Sequence, residues 1–281
     1  MIADEVVKYL QNKNMYAKKQ FGQNFLIDKN ILKKIIEISN VSKDDTIIEI
    51  GPGVGCLTEY LCLNAKKVIC YEIDKDMVQI LQDTLLTKYD NVEVINEDFL
   101  KIDLSTYNNE GLTENVKVVA NLPYYITTPI IFKLLSETKI KQFTFMVQKE
   151  VGERLTGKPN TKEYNALSVA MNFKTDSKIA HRVKPNSFYP APNVDSVLLL
   201  VKTKKTDCEP NLEAKFLKFV QDIFSQRRKT IINNLAGKYG YNKQQLIEIF
   251  GRERLNINLR AETLDCNDIL DLYKRLLAQN N

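Results

Sequence analysis

Apolar positions in the first two thirds of the chain come in short, near-continuous runs separated by longer amphipathic stretches. TIIEI (46–50), KVICYEI (67–73), NVEVI (91–95), VKVVA (116–120) and FTFMV (143–147) are rich in Val, Ile and aromatic residues and read as strands. Between them, 57–63, 75–88 and 129–135 read as helices. Strand and helix alternating in this rhythm imply parallel crossovers and a doubly wound sheet. Strands that show little polar alternation fit a sheet covered on both faces.

After a last strand over 193–203 the pattern changes. Residues 207–211, with their proline, read as a linker, and from Leu212 the period becomes helical: LEAKFLKFVQDIF, KTIINNLAGKY, KQQLIEIFG and CNDILDLYKRLLA. Gly237, Gly240 and Gly251 supply stops for these helices. The pattern therefore predicts an α/β domain over 1–206 and a small all-helical domain over 207–281, with an edge good to about four residues. A chain of 281 residues is long enough for both.

Composition narrows the chemistry. With 44% hydrophobic and 27% charged residues the chain has an ordinary globular make-up. No apolar run approaches a membrane span, and MIADEVVKYLQNKN lacks the basic-then-apolar pattern of a secretory signal. The expectation is a cytoplasmic protein with no membrane partner. Cysteines at 56, 62, 70, 208 and 266 form no C-x-x-C pair, which argues against a disulfide framework and a zinc site. The single histidine, His181 in SKIAHRV, has no Ser or Cys signature beside it, so triad chemistry is not expected. The chemistry sought needs neither metal nor histidine.

Net charge matters once it is divided along the chain. Residues 1–180 carry 23 basic and 24 acidic side chains, a net of −1, whereas 181–281 carry 17 and 11, a net of +6. A basic appendage on a neutral domain points to a polyanionic partner.

EIGPGVGCLTEYL (49–61) follows the first strand of the sheet and opens a helix. Glycines at 51, 53 and 55 let the backbone turn tightly and approach a ligand under the positive end of that helix. The dinucleotide fingerprint wants its third glycine three positions after its second, where Cys56 stands. The loop fits the G-x-G-x-G pattern of methyltransferases that use S-adenosylmethionine better than a nicotinamide or flavin loop. The next strand ends in Glu72, a carboxylate placed to accept both ribose hydroxyls, while Asp74 is expected to cap the helix from Lys75. Asp98, at the third strand end, is placed to accept from an adenine amino group. Glycines, Glu and Asp at consecutive strand ends make the crevice expected at the carboxyl edge of an open sheet.

The fourth strand ends in Asn121-Leu122-Pro123-Tyr124. Asn121 offers a side-chain oxygen, and Pro123 stiffens the turn so that the carbonyl of Leu122 points inward. Two acceptors hold an exocyclic amine by its N–H bonds and favour a tetrahedral nitrogen whose lone pair faces a methyl donor. Tyr124 adds a flat face for an extruded base, worth roughly 1–3 kcal/mol per stacked base.

With these motifs in view, KKQFGQNFLID, EIGPGVGCLT, NLPYYITTPI, MVQKEVGERL, FYPAPNVDS and SQRRKTIINNL resemble, in this order, the bacterial small-subunit ribosomal RNA adenine dimethyltransferases, over about residues 16–260. Asn-Leu-Pro-Tyr is also similar to the Asn/Asp-Pro-Pro-Tyr signature of amino-group methyltransferases, with Leu122 in place of the first proline. The resemblance implies a Rossmann-like class I methyltransferase domain with a small C-terminal all-helical RNA-binding domain, S-adenosylmethionine as cofactor, and N6,N6-dimethylation of two adjacent adenosines near the 3′ end of 16S RNA. It implies an N-terminal segment, about 1–30, whose Asn24 and Leu26 close over the cofactor. Gly51 and Gly53, Glu72 and Asp98 become glycine-loop, ribose and adenine contacts, with Asn121 at the methyl-transfer end. Tyr124 and Phe188 become the aromatic pair around the target adenine, with Pro190 and Pro192 presenting Phe188. Lys18, Lys19, Arg227, Arg228 and Lys229 become candidate phosphate contacts. The implied partner is an immature 30S particle, met by a monomer. No general base is demanded, because the sulfonium is an activated donor and positioning carries the barrier reduction.

Two alternatives stand beside this one. A large-subunit dimethyltransferase of the macrolide-resistance type shares QNFL, Asn-Leu-Pro-Tyr and Phe-x-Pro-x-Pro, though MVQKEVGERL, GKPNTKEYNALSV and SQRRKT favour the small-subunit type. An assembly factor that binds pre-ribosomal RNA, with methylation secondary, is the other.

Overall fold

The computed structural model describes residues 23–104, 115–136, 140–204 and 210–277. By backbone packing these fall into two compact units, residues 23–152 with 177–203, and residues 153–176 with 204–277.

Nine strands occur among the described residues, and the first unit is built on a sheet of seven of them. In chain order the strands are β1 (Phe25–Leu26), β2 (Thr46–Ile50), β3 (Lys67–Tyr71), β4 (Val92–Ile95), β5 (Val116–Asn121), β6 (Gln142–Gln148), β7 (Thr175–Val183), β8 (Phe188–Tyr189) and β9 (Ser196–Thr203). The large sheet runs β4-β3-β2-β5-β6-β9-β7. The pairs β2–β3, β3–β4, β2–β5 and β5–β6 are parallel, as the alternating pattern predicts, and β9 enters antiparallel beside β6. The chain winds outward through β3 and β4, then returns to the other side of β2 as β5. The strand order therefore reverses between β2 and β5, and ligands bind open α/β sheets at such a point. Register aligns the strand ends there: Ile50 lies opposite Tyr71, Tyr71 opposite Ile95, and Ile48 opposite Val118. The glycine loop, Glu72 and Asn121 thus leave the sheet along one edge.

Every residue of β2 is buried, as expected for a central strand covered on both faces. Helices Lys29–Ser39, Cys56–Asn64 and Lys75–Thr84 supply the cover on this side, with Leu32, Ile35, Leu57, Leu61, Met77 and Ile80 buried. Asp74 caps the last of these helices by accepting from the Asp76 N–H at 3.1 Å. Gly55 is obligatory: its φ is +84°, and a Cβ there would lie 2.4 Å from Leu85 Cδ1.

The second unit is helical. Phe216, Phe219, Val220 and Ile223, spaced three and four apart on helix Pro210–Ile223, are all buried and meet Phe250, Leu272 and Tyr273 in one apolar cluster. Phe219 and Tyr273 meet edge-on, ring centroids 5.3 Å apart. The helix expected over KTIINNLAGKY is shorter, Ile231–Leu235, because the chain leaves the helix at Ala236 and Gly237 takes φ +80°. Residues 153–176, placed by the sequence pattern within a domain of 1–206, pack instead with the C-terminal helices. Tyr164, nearly fully buried, donates its hydroxyl to the Leu264 carbonyl at 2.8 Å, and Val169 joins the same cluster. The proposed edge near 207 falls outside the described residues. No helix among the described residues is long and apolar enough to cross a membrane.

Candidate active site

At the reversal point a cavity of about 230 Å³ opens along the carboxyl edge of the sheet. Its floor is the glycine loop with Glu72 and Asp98, and its far wall is Asn121 through Tyr124. Asn24 and Leu26, on the segment entering and forming β1, close a third side. Ten residues proposed from the sequence, drawn from five separate motifs, therefore share one space.

The loop and its carboxylate are organised by backbone donors. The Gly53 N–H donates to Glu72 Oε2 at 3.0 Å and the Asp74 N–H to Oε1 at 2.8 Å. Each oxygen thus carries a backbone donor, with the Ile73 N–H also acting on the carboxylate, and lone-pair capacity remains for a further donor, such as a ribose hydroxyl. Glu72 is 5% exposed, and burial pushes its pKa above the ordinary carboxyl value. Asp98 accepts from the Leu100 N–H through Oδ1 at 3.0 Å, capping a short 3-10 turn while lining the cavity.

The far wall is fixed at both ends. Asn121 Nδ2 donates to the backbone carbonyl of Asn24 at 3.0 Å, which assigns the amide oxygen as the free acceptor. The Leu122 N–H continues the ladder to the Met146 carbonyl at 3.1 Å, and the Pro123 carbonyl is taken by Thr127 Oγ1 at 3.0 Å. Pro123 has φ −58° and ψ 130°, after which Tyr124–Ile126 turn as a 3-10 segment. Tyr124 is half-buried, and its hydroxyl lies 2.8 Å from Ser196 Oγ at the start of β9.

Two motifs far apart in sequence meet beside this wall. β1 and β8 pair antiparallel, with Phe25 opposite Tyr189 and Leu26 opposite Phe188. Asp28 caps helix Lys29–Ser39 and accepts from Ser187 Oγ at 3.1 Å, which pins the same junction. This pairing bears on one expectation. Phe188 is only 3% exposed and does not line the cavity. Phe188 is buried beside its cross-strand partner Leu26, and the more exposed ring of the pair Phe188–Tyr189 is Tyr189.

The basic cluster also divides. Arg227 donates from Nε to Glu262 at 2.8 Å, from Nη2 to the Thr161 carbonyl at 3.0 Å and from Nη1 to the Lys162 carbonyl. That guanidinium clamps the second unit together rather than standing free for a phosphate. Arg228 and Lys229 are exposed. Lys18 and Lys19 lie outside the described residues.

Three residues at or beside the site were given no role from the sequence. Glu49, in the middle of β2, is 1% exposed, and burial raises its carboxyl pKa to about 8, so it is protonated at neutral pH. A charged residue inside the apolar run TIIEI was the available sign. Tyr125 is 54% exposed and lines the cavity. Ser196 reaches the site only through the fold, 72 residues from its partner.

The glycine cradle and a buried carboxylate held by backbone N–H groups fit a nucleoside-bearing methyl donor. Comparison with known proteins agrees. Residues 14–278 match the family model described as ribosomal RNA adenine dimethylase. Curated relatives carry the name ribosomal RNA small subunit methyltransferase A. The protein of Streptococcus gordonii is 44% identical over 91% of this chain and 90% of its own. That of Alkaliphilus oremlandii is 46% identical over 88% and 87%. Among solved structures, a dimethyladenosine transferase from Plasmodium falciparum superposes with a TM-score of 0.74 at 27% identity, covering 91% of this chain and 97% of its own. The 23S rRNA methyltransferase ErmE gives 0.70 at 25% identity, covering 90% and 99%.

Proposed function

The chain belongs to the ribosomal RNA adenine dimethylase family, and from that premise we propose that it transfers methyl groups from S-adenosylmethionine to the N6 amino groups of two adjacent adenosines in small-subunit ribosomal RNA. The substrate is the RNA of an immature 30S particle, the enzyme works as a monomer, and it acts in the cytoplasm. The observation that carries the reading is the tethered amide of Asn121. With its nitrogen held on the Asn24 carbonyl, the amide is fixed in the orientation that offers its oxygen as an acceptor for an adenine amine.

S-adenosylmethionine, when bound, supplies a methyl group on a positively charged sulfur. The chain's own residues do the rest. Glu72 and Asp98 accept from the nucleoside, and the glycines let backbone approach it. Asn121 Oδ1 and the Leu122 carbonyl accept the two N–H bonds of the adenine amine, which turns its lone pair out of the ring plane. Tyr124 supplies the face against which the extruded base stacks. Asn24 and Leu26 wall the cavity from water on the third side. The amine becomes acidic only as the new bond forms, and solvent takes that proton.

The choice between ribosomal subunits rests on sequence. Relatives named for the small subunit share 44–46% identity with this chain over about nine tenths of its length, against 25% for the 23S enzyme of similar fold. Tritiated S-adenosylmethionine offered with unmethylated 30S particles and, separately, with large-subunit RNA tests the reading. Label in adenosines of the small subunit is expected, and label confined to large-subunit RNA would overturn it.

A further inference from the structure

We propose that Ser196 is a positioning residue for methyl transfer: its hydroxyl holds the ring of Tyr124 in the plane that receives the base. The proposal rests on the functional reading above and extends it to a residue outside the cavity. Ser196 does not line that cavity, so any effect it has on the reaction passes through Tyr124.

The geometry is specific. Tyr124 Oη and Ser196 Oγ are 2.8 Å apart, and Ser196 is fully buried. Ser196 is the first residue of β9 and lies opposite Gln148, the last residue of β6. β6 in turn pairs with β5, with Asn121 opposite Met146. The anchor for Tyr124 and the acceptor Asn121 therefore sit on strand ends two places apart in one hydrogen-bonded ladder, so their separation is set by strand geometry. The flanking chain is pinned as well, since the Asp195 carbonyl accepts from the Lys149 N–H at 2.9 Å and its carboxylate pairs with Lys184 at 3.0 Å.

The anchor answers a mechanical need. A tyrosine ring attached only at Cβ rotates about two bonds, and Pro123 stiffens only the backbone end. A hydrogen bond at the far end of the ring fixes the tilt of the ring axis, and the preference of a phenol's hydrogen bonds for the ring plane biases rotation about that axis, before the base arrives. An amine misplaced by about an ångström loses alignment with the methyl donor at a large cost in rate. In this arrangement FYPAPNVDS contributes through its last residue, Ser196, whereas its first, Phe188, is buried against β1.

The test uses the full chain with 30S particles in single-turnover methylation at saturating cofactor and RNA. Ser196→Ala and Tyr124→Phe each remove one partner and are each expected to slow transfer by about tenfold, the loss of one hydrogen bond near 1.4 kcal/mol. Cofactor affinity by calorimetry should stay at the wild-type value. The double variant should be no slower than either single one, because both changes delete the same bond. Ser196→Thr, which keeps the hydroxyl, should recover most of the rate. Should Ser196→Ala prove unstable, the double variant leaves no unpaired hydroxyl and carries the comparison with Tyr124→Phe. A wild-type rate in Ser196→Ala, or losses that multiply in the double variant, would overturn the proposal. Failure of the wild-type chain to label small-subunit RNA would instead overturn the functional reading, and the coupling would still be read on whichever RNA is labelled.

Discussion

The amide nitrogen of Asn121 is bonded to the carbonyl of Asn24, 97 residues earlier in the chain, at 3.0 Å. This one contact joins the strand end proposed to meet the reacting amine to the segment that borders the cavity on its third side. It gives the amide a direction, since holding the nitrogen on a carbonyl fixes on which side the amide presents its one acceptor, the oxygen. On the proposed reading it couples that segment to the chemistry, because displacing Asn24 would release the amide to rotate.

Replacing Asn121 with Ala should therefore slow methyl transfer far more than it weakens RNA binding. Deleting one positioned hydrogen bond of this kind costs about 2.7–4 kcal/mol in the transition state, or roughly 10²–10³ in rate. Single-turnover methylation of 30S particles measures it, with circular dichroism as the folding control. A folded Asn121→Ala variant that methylates at the wild-type rate would reduce Asn-Leu-Pro-Tyr to a turn.

Glu72 makes a different prediction, about binding. Glu72→Ala should weaken S-adenosylmethionine by ~1.5–3 kcal/mol, the worth of hydrogen bonds to a charged group. Because burial raises the pKa of this carboxyl, it takes up a proton at a higher pH than a free glutamate would. Wild-type affinity should then fall, as pH is lowered, before ordinary carboxylates titrate. Calorimetry across pH 5–8 reads both effects, and an unchanged dissociation constant in Glu72→Ala would remove the residue from the site.

Much of this site was legible in the sequence because strand ends advertise themselves. Glycines after TIIEI, Glu72 after KVICY and Asn-Leu-Pro-Tyr after VKVVA each break an apolar run at the place where a parallel sheet gathers its ligands. What stayed hidden depends on contacts between distant segments. The fate of Phe188 is decided by its pairing with Leu26, and that of Arg227 by carbonyls at 161 and 162. The same holds for the helix Ala166–Lys174, which follows β6 of the first unit in sequence yet buries Val169 among the C-terminal helices. Periodicity reports which face of an element is apolar and says nothing of which neighbour will cover it.

Glu49 gives the fold a pH dependence of its own. Its carboxyl rises from the ordinary 4.5 to about 8 in the folded protein because burial penalises the charge. Between those values the folded state holds a proton that the unfolded chain releases. The stabilisation is therefore complete below about 4.5 and lost as pH rises through about 8, at up to roughly 1.4 kcal/mol per pH unit. Glu49→Gln, neutral at every pH, should flatten this decline and melt above the wild type at pH 9. Thermal melts of the cofactor-free protein from pH 5.5 to 9 compare the two. Parallel curves would show that the carboxyl stays ionised when folded.

The last prediction separates neighbours in SQRRKT. Arg227 is engaged by Glu262 and by the carbonyls of residues 161 and 162, whereas Arg228 and Lys229 are exposed. Arg228→Ala and Lys229→Ala should each flatten the log–log salt dependence of RNA binding by up to ~0.7, the signature of one lost phosphate contact on a single strand. Arg227→Ala should leave that slope alone and lower the melting temperature instead. The cost should not exceed about 1 kcal/mol, since the arginine is half-exposed and solvent screens its ion pair with Glu262. Filter binding over a range of salt concentrations, run beside thermal melts, distinguishes the two roles. A salt slope changed by Arg227→Ala as much as by its neighbours would mean that the guanidinium leaves its clamp for RNA, and that the clamp is a resting position rather than part of the fold.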